Sequence, residues 1–240
     1  MDKNKIKLIA MDLDGTLSQH KQFLPDRNKK ALKILDEKYL LVMMGAGQVM
    51  RVFNQMEQFP IDIVGNYGLQ FGRYNHKSKN IDIERDLSFP VDKVKIEEKV
   101  WALREKYGYT DFKGDNVEFH PSGCITFPLL GTKAELKDKL AFDPDRIKRR
   151  AIYDDVCSYF SDYNVFVGGS SSFDFAPRPY DKYYALDLYC KEKGVSHKQV
   201  VFVGDDYGLG GNDSSVYNSD FNFLTIDDFM DFPKVVKDLL

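Results

Sequence analysis

The chain has 240 residues, 43% hydrophobic and 30% charged, a balance ordinary for a globular protein and long enough for more than one core. A net charge of −3 with a pI of about 5.9 excludes the basic footprint of a nucleic-acid binder. No apolar run approaches the ~20 residues of a membrane helix, and Cys124, Cys157 and Cys190 are too widely spaced for a disulfide framework or a zinc site, which points to a reducing cytoplasm.

Residues 6–11 form an apolar run ending at Asp12, the pattern of a buried strand entering a loop. Pro25-Asp26 opens a helix whose apolar positions are Ala31, Leu32, Ile34 and Leu35. Residues 40–44 read as a second buried strand stopping at Gly45, residues 49–59 as a helix ended by Pro60, and residues 61–64 as a third strand. Strands alternating with helices predict a parallel α/β sheet.

The middle of the chain changes character. Residues 91–107 are a helix pattern closed by Gly108, followed by strands at 117–119 and 124–127 around the turn Pro121-Ser122-Gly123. A helix-rich stretch over 133–160 leads to strands at 165–167 and 172–175. This order predicts a separate α+β unit with an antiparallel sheet. The α/β pattern then resumes with a helix over 183–193 ended by Gly194, a strand at 200–203, a short strand at 221–224 and a helix over 227–240. Residues 1–85 and 178–240 are therefore expected to build one domain, Rossmann-like in pattern, with 86–177 inserted into it.

Ligands of open α/β sheets gather at the carboxyl ends of the strands. Two predicted strands end there in carboxylates, one in Asp12-Leu13-Asp14-Gly15-Thr16 and the other in Gly204-Asp205-Asp206, with Gly210-Gly211-Asn212-Asp213 just beyond. Like charges gathered so closely repel, and a dication relieves them; hard carboxylate oxygens suit Mg²⁺. In Asp12-x-Asp14 both side chains project to one side of extended chain. One carboxylate can then attack phosphorus while the other hands a proton to the leaving oxygen. Gly15 permits the tight turn this needs.

Asp12-Leu13-Asp14-Gly15-Thr16 resembles the first signature of the haloacid dehalogenase superfamily of phosphatases and phosphomutases, and Lys182 fills the place of that superfamily's lysine. In finer detail the chain is similar to the eukaryotic-type phosphomannomutases, which carry an inserted α+β cap. Met43-Met44-Gly45-Ala46-Gly47, Asn66-Tyr67-Gly68-Leu69, Gly169-Ser170-Ser171-Ser172-Phe173-Asp174 and Gly204-Asp205 with Gly210-Gly211-Asn212-Asp213 carry the likeness. The resemblance implies Asp12 as nucleophile, Asp14 as general acid and base, and Lys182 as the cation on the phosphoryl group. It implies Mg²⁺ on the Asp12 side chain, the Asp14 backbone carbonyl and Asp205, with Asp213 in support. Lys21 stands where the family has an arginine near the phosphate. Ser172 and Asp174 lie on the strand that faces the substrate in the family, and the cap is a candidate surface for a homodimer.

Two departures stand out. The superfamily's second motif supplies a Ser or Thr hydroxyl to the phosphate, and that place is Gly47 here, leaving backbone N–H groups at Gly45 and Gly47, or Gln48, as substitutes. A lost hydrogen bond to a charged group is worth about 1.5–3 kcal/mol. The family's cap also holds a second phosphate with arginines, whereas residues 105–145 contain no arginine; His120 and Lys133, with Lys137 and Lys139, are the nearest stand-ins. Three readings follow: a sugar-phosphate phosphatase, favoured by the arginine-poor cap; a phosphomannomutase; and a binding protein that kept the fold.

Overall fold

The computed structural model describes residues 2–20 and 22–240. It separates into two compact units. One holds the chain up to Asp86, then Asp181–Gly208 and Asp213–Leu240; the other holds Leu87–Tyr180 and Leu209–Asn212.

In the first unit β1 (Leu8–Met11) is apolar at every position because it is covered on both faces. Ile9 and Met11 pack into one cluster and Leu8 and Ala10 into another, the period-two alternation of a strand buried from both sides. Helix α1 (Asp26–Asp36) begins after Pro25 and buries Ala31, Leu32 and Leu35 against the first cluster. β2 (Leu40–Met44) runs parallel to β1, and α2 (Val49–Gln55) adds Val49, Val52 and Phe53 to the same cluster. β3 (Asp62–Gly65) runs parallel to β2. The sheet then departs from the pattern read in the sequence: β4 (Gln70–Asn75) and β5 (Asn80–Asp86) form an antiparallel hairpin beyond β3.

The second unit opens with α3 (Lys93–Tyr107), capped by the Asp92 carboxylate on the Lys95 N–H and closed by Gly108 in the left-handed conformation at φ 74°. β6 (Glu118–Phe119) and β7 (Ile125–Pro128) follow, then the short helices α4 (Leu136–Phe142), α5 (Ile147–Ala151) and α6 (Tyr153–Tyr159), then β8 (Tyr163–Phe166) and β9 (Ser172–Pro177). The four strands make an antiparallel sheet in the order β6-β7-β9-β8. Ile125, Phe127, Phe173 and Phe175 on one face of it pack with Ile96, Val100 and Leu103 of α3 and with Val156 of α6. The alternate residues Thr126 and Asp174 stand on the other face.

The chain then completes the first unit. α7 (Lys182–Lys193) buries Ala185, Leu186 and Tyr189 on the face of the sheet opposite α1. β10 (Val200–Gly204) pairs parallel with β1, α8 (Ser214–Tyr217) follows, and β11 (Asn222–Thr225) closes a sheet of order β11-β10-β1-β2-β3-β4-β5. The helix expected over 227–240 is a finding against the sequence pattern. A turn of 3₁₀ helix at Phe229–Asp231 leads to α9 (Phe232–Val235) alone, with Pro233 in its first turn. Phe232, Val236 and Leu239 still reach the core, so the apolar spacing is real but turns satisfy it. Among the described residues no helix is long and apolar enough to cross a membrane.

Candidate active site

The sheet order puts β1 between β2 and β10. Asp12 follows β1 directly and donates its backbone N–H to the Val203 carbonyl of β10 at 3.0 Å. Asp205 follows β10 in the same way. Asp213, the residue before α8, is fully buried; its Oδ2 accepts the Asp206 N–H at 3.0 Å, and its own N–H returns to the Asp206 carbonyl at 3.0 Å. The chain between them is thus folded back so that Asp12, Asp205 and Asp213 offer oxygens within 4.8 Å of one another.

Lys182, the first residue of α7, is buried among them and donates from Nζ to Asp12 Oδ1 and to Asp213 Oδ1, both at 2.6 Å. Burial alone lowers its ammonium, but Asp12 and Asp213 outweigh that and hold it above its ordinary value. Burial drives the Asp12 carboxyl well above the usual carboxylate range despite Lys182, with Asp213 and Asp205 adding to the rise. Burial, then Asp213, pushes Asp205 up to about 6. One ammonium does not balance three carboxylates. A set of hard oxygens gathered this closely, with the Asp12 and Asp205 carboxyls resisting ionisation, fits a divalent cation such as Mg²⁺. Thr16 Oγ1 orients Asp205 by donating to its Oδ1 at 2.9 Å. Gly15, at φ +99°, leaves room for that carboxylate: a Cβ there would lie 2.4 Å from Asp205 Oδ2.

The Asp14 carboxylate is not one of the three that converge. Its Oδ1 accepts Gln55 Nε2 at 2.7 Å, while Arg51 Nη2 and His20 Nδ1 each lie 3.7 Å from its Oδ2. Gln55 in turn accepts Arg51 Nη1 at 2.7 Å and donates to Ser18 Oγ at 3.3 Å. Thr16, Arg51 and Gln55 were not singled out in the sequence. Arg51 and Gln55 are one helical turn apart on α2, a spacing that pairs side chains but does not say what they face. Gly45 gives its N–H to the Val64 carbonyl of β3, so that N–H is spent within the sheet rather than left for a phosphate, and the Gly47 carbonyl accepts the N–H of Asn66, the residue after β3. Gln48 is exposed just before α2, and Lys21 lies outside the described residues.

The remaining candidates belong to the second unit. Thr126 of β7 lies opposite Asp174 of β9 and donates its hydroxyl to Asp174 Oδ1 at 2.8 Å. That leaves a Thr126 lone pair for His120 Nε2–H, 3.0 Å away. Burial raises the Asp174 carboxyl even though Thr126 bonds to it. Ser172 turns its hydroxyl back to the Gly168 carbonyl at 3.1 Å, and Lys133 is exposed. The two arginines buried in this unit are spent internally. Arg104 donates to the carbonyls of Tyr109, Leu129, Asn116 and Pro128 and to Asn116 Oδ1, and burial lowers it to about 10. Arg149 pairs with Asp143 at 2.9 Å and donates to the carbonyls of Gly168, Gly169 and Ser172.

Residues 9–215 match the haloacid dehalogenase-like hydrolase family, and the chain belongs to it. This makes it an enzyme of the phosphatase and phosphotransferase class. It is similar to the phosphomannomutase of Encephalitozoon cuniculi, with 23% identity covering 91% of this chain and 87% of that protein. It is also similar to the phosphomannomutase of Solanum lycopersicum, with 25% identity covering 92% and 88%. Its fold resembles the solved structure of an N-terminally truncated Plasmodium falciparum IMP-nucleotidase, with a TM-score of 0.69 at 15% identity, covering 99% of this chain and 71% of that one.

Proposed function

We propose that the chain is a Mg²⁺-dependent phosphohydrolase of small sugar phosphates that works through phospho-Asp12. In this reading the first unit is the catalytic core and the second is the cap. The observation that carries it is the Asp12 carboxylate just past the end of β1, held 2.6 Å from Lys182 Nζ and within 4.8 Å of the Asp205 and Asp213 oxygens.

Asp12, Asp205 and the Asp14 carbonyl would hold Mg²⁺, which supplies positive charge against the phosphoryl oxygens. Asp213 keeps Lys182 in place and the loop closed. The Asp12 oxygen not bonded to Lys182 attacks phosphorus, and the bond from phosphorus to the sugar oxygen breaks. Asp14 gives its proton to that oxygen, so the sugar leaves as an alcohol. Water then attacks phospho-Asp12, Asp14 takes one of its protons, and inorganic phosphate leaves with Asp12 restored. Gln55, hydrogen-bonded to Asp14 Oδ1, keeps one oxygen of that carboxyl fixed while the other exchanges the proton.

The phosphomannomutase relatives favour a second reading, in which a sugar hydroxyl rather than water takes the phosphoryl group. Hydrolysis is supported by the absence of arginine from residues 105–145 and by Arg104 and Arg149 being consumed within their own unit. The test is incubation with Mg²⁺ and mannose 1-phosphate, with and without glucose 1,6-bisphosphate, reading inorganic phosphate and mannose 6-phosphate. Phosphate release that disappears in Asp12→Asn is the expected result. Mannose 6-phosphate formed only with the bisphosphate would establish the mutase, and turnover surviving in Asp12→Asn would refute both.

A further inference from the structure

The loop after β2 carries an unusual arrangement. The Arg51 guanidinium folds back from α2 over Gly47, into the space where a side chain at position 47 would stand. A Cβ on Gly47 would lie 2.0 Å from Arg51 Nη2, 2.5 Å from Nε and 2.6 Å from Cζ. The glycine is thus matched to the arginine: any other residue at 47 has to drive the guanidinium out.

Two contacts fix the group there. Nη1 donates to Gln55 Oε1 at 2.7 Å, and Nη2 lies 3.7 Å from Asp14 Oδ2, too far for a hydrogen bond but close enough for attraction. Among the described residues these are the partners of the Arg51 side chain, so Nε and Nη2 keep their donors unspent. The side chain is 43% exposed, so this face of the fork is open. β2 is hydrogen-bonded in parallel to β1, with Met43 opposite Met11, the residue before Asp12. The loop and its arginine therefore leave the sheet at the same end as Asp12 and Asp14.

We propose that Arg51 is the anchor for the transferred phosphate, a guanidinium standing in for a side-chain hydroxyl at position 47. The planar fork suits two oxygens of a phosphate monoester dianion, and its charge offsets the one that Asp12 and Asp14 add beside it. Gln55 then has two duties: it holds Asp14 with its amide N–H and Arg51 with its carbonyl, which fixes the distance between the acid and the anchor. This rests on the reading of Asp12 as the phosphoryl acceptor.

The experiment compares wild type, Arg51→Ala, Arg51→Lys, Gly47→Ser, the double variant Gly47→Ser/Arg51→Ala and, as control, Asp12→Asn, all at saturating Mg²⁺. Binding of inorganic phosphate is read by calorimetry, turnover of p-nitrophenyl phosphate over a pH series, and thermal melting as a check on folding. Arg51→Ala is expected to weaken phosphate binding about 10- to 100-fold, the range for loss of a charged hydrogen bond. Arg51→Lys is expected to fall between it and wild type. Adding Gly47→Ser to Arg51→Ala is expected to recover part of the affinity, whereas Gly47→Ser alone weakens it by displacing the guanidinium. Phosphate affinity unchanged in folded Arg51→Ala overturns the proposal, and so does an effect confined to kcat and its pH profile, which would place Arg51 behind Asp14. Turnover retained in Asp12→Asn would instead sink the catalytic reading on which the proposal stands, so the two failures are distinguishable.

Discussion

Replacing Gly15 by alanine perturbs the candidate metal site by one methyl group while removing none of its ligands. The added Cβ would lie 2.4, 2.6 and 2.8 Å from Asp205 Oδ2, Cγ and Oδ1, where ordinary contact starts at about 3.4 Å. The carboxylate therefore has to retreat by about 1 Å, and a displacement of that size costs about 10²-fold in rate. The retreat also strains the 2.9 Å hydrogen bond from Thr16 Oγ1. A non-glycine residue at φ +99° adds backbone strain on the order of 1–3 kcal/mol, a tolerable fraction of a domain's stability. The expected outcome is a folded Gly15→Ala protein whose turnover of a phosphate monoester falls about 10²-fold and whose Mg²⁺ requirement moves to higher concentration. The assay is a Mg²⁺ titration of initial rate alongside a thermal melt. A folded variant with an unchanged Mg²⁺ titration would refute the placement of Asp205 at the metal.

Gln55→Leu removes the amide on Asp14 Oδ1 and the acceptor for Arg51 while leaving the three converging carboxylates untouched. It is expected to lower kcat by about tenfold, the worth of one lost hydrogen bond in a transition state, with Mg²⁺ affinity unchanged; a changed Mg²⁺ titration would contradict the separation of the Asp14 carboxylate from the three converging ones. Arg104→Met removes the guanidinium from four backbone carbonyls of the second unit, of which Pro128 keeps the Gly131 N–H. Urea unfolding is expected to show a loss of about 3 kcal/mol, and a loss under 1 kcal/mol would mean that burying the guanidinium offsets what its hydrogen bonds contribute.

The two acidic loops were legible because strands buried on both faces read as unbroken apolar runs and the carboxylates follow them directly. β1, β2 and β10 are of this kind, and their ends give Asp12, Gly45 and Asp205. The hairpin of β4 and β5 was not legible. β4 contains Gly72 and three polar residues, and β5 alternates Ile81 and Ile83 with Asp82 and Glu84, charges that belong to a sheet edge open to water. Arg51 escaped for a different reason. Its role depends on a side chain folding back over a glycine four residues earlier, and a missing Cβ leaves no mark in the sequence beyond the glycine itself. Thr126 lay inside a predicted strand, but its place between His120 and Asp174 follows from strand register, which spacing along the chain does not reveal.

β1 and β10 are neighbours in the sheet but come from distant parts of the chain, and the Lys182–Asp12 contact spans 170 residues. A chain made from its N-terminus presents Asp12 early, when the strand that will flank it has yet to be synthesised. Until Lys182, Asp205 and Asp213 emerge, the groups that surround Asp12 in the folded chain are not there to meet it. The cost of gathering like charges in a dry site is therefore met late, by closing the β1–β10 seam, after the second unit has had its sequence completed. During synthesis the same seam is an apolar strand edge waiting for its neighbour, which makes this the interval in which the chain most depends on not meeting another copy of itself.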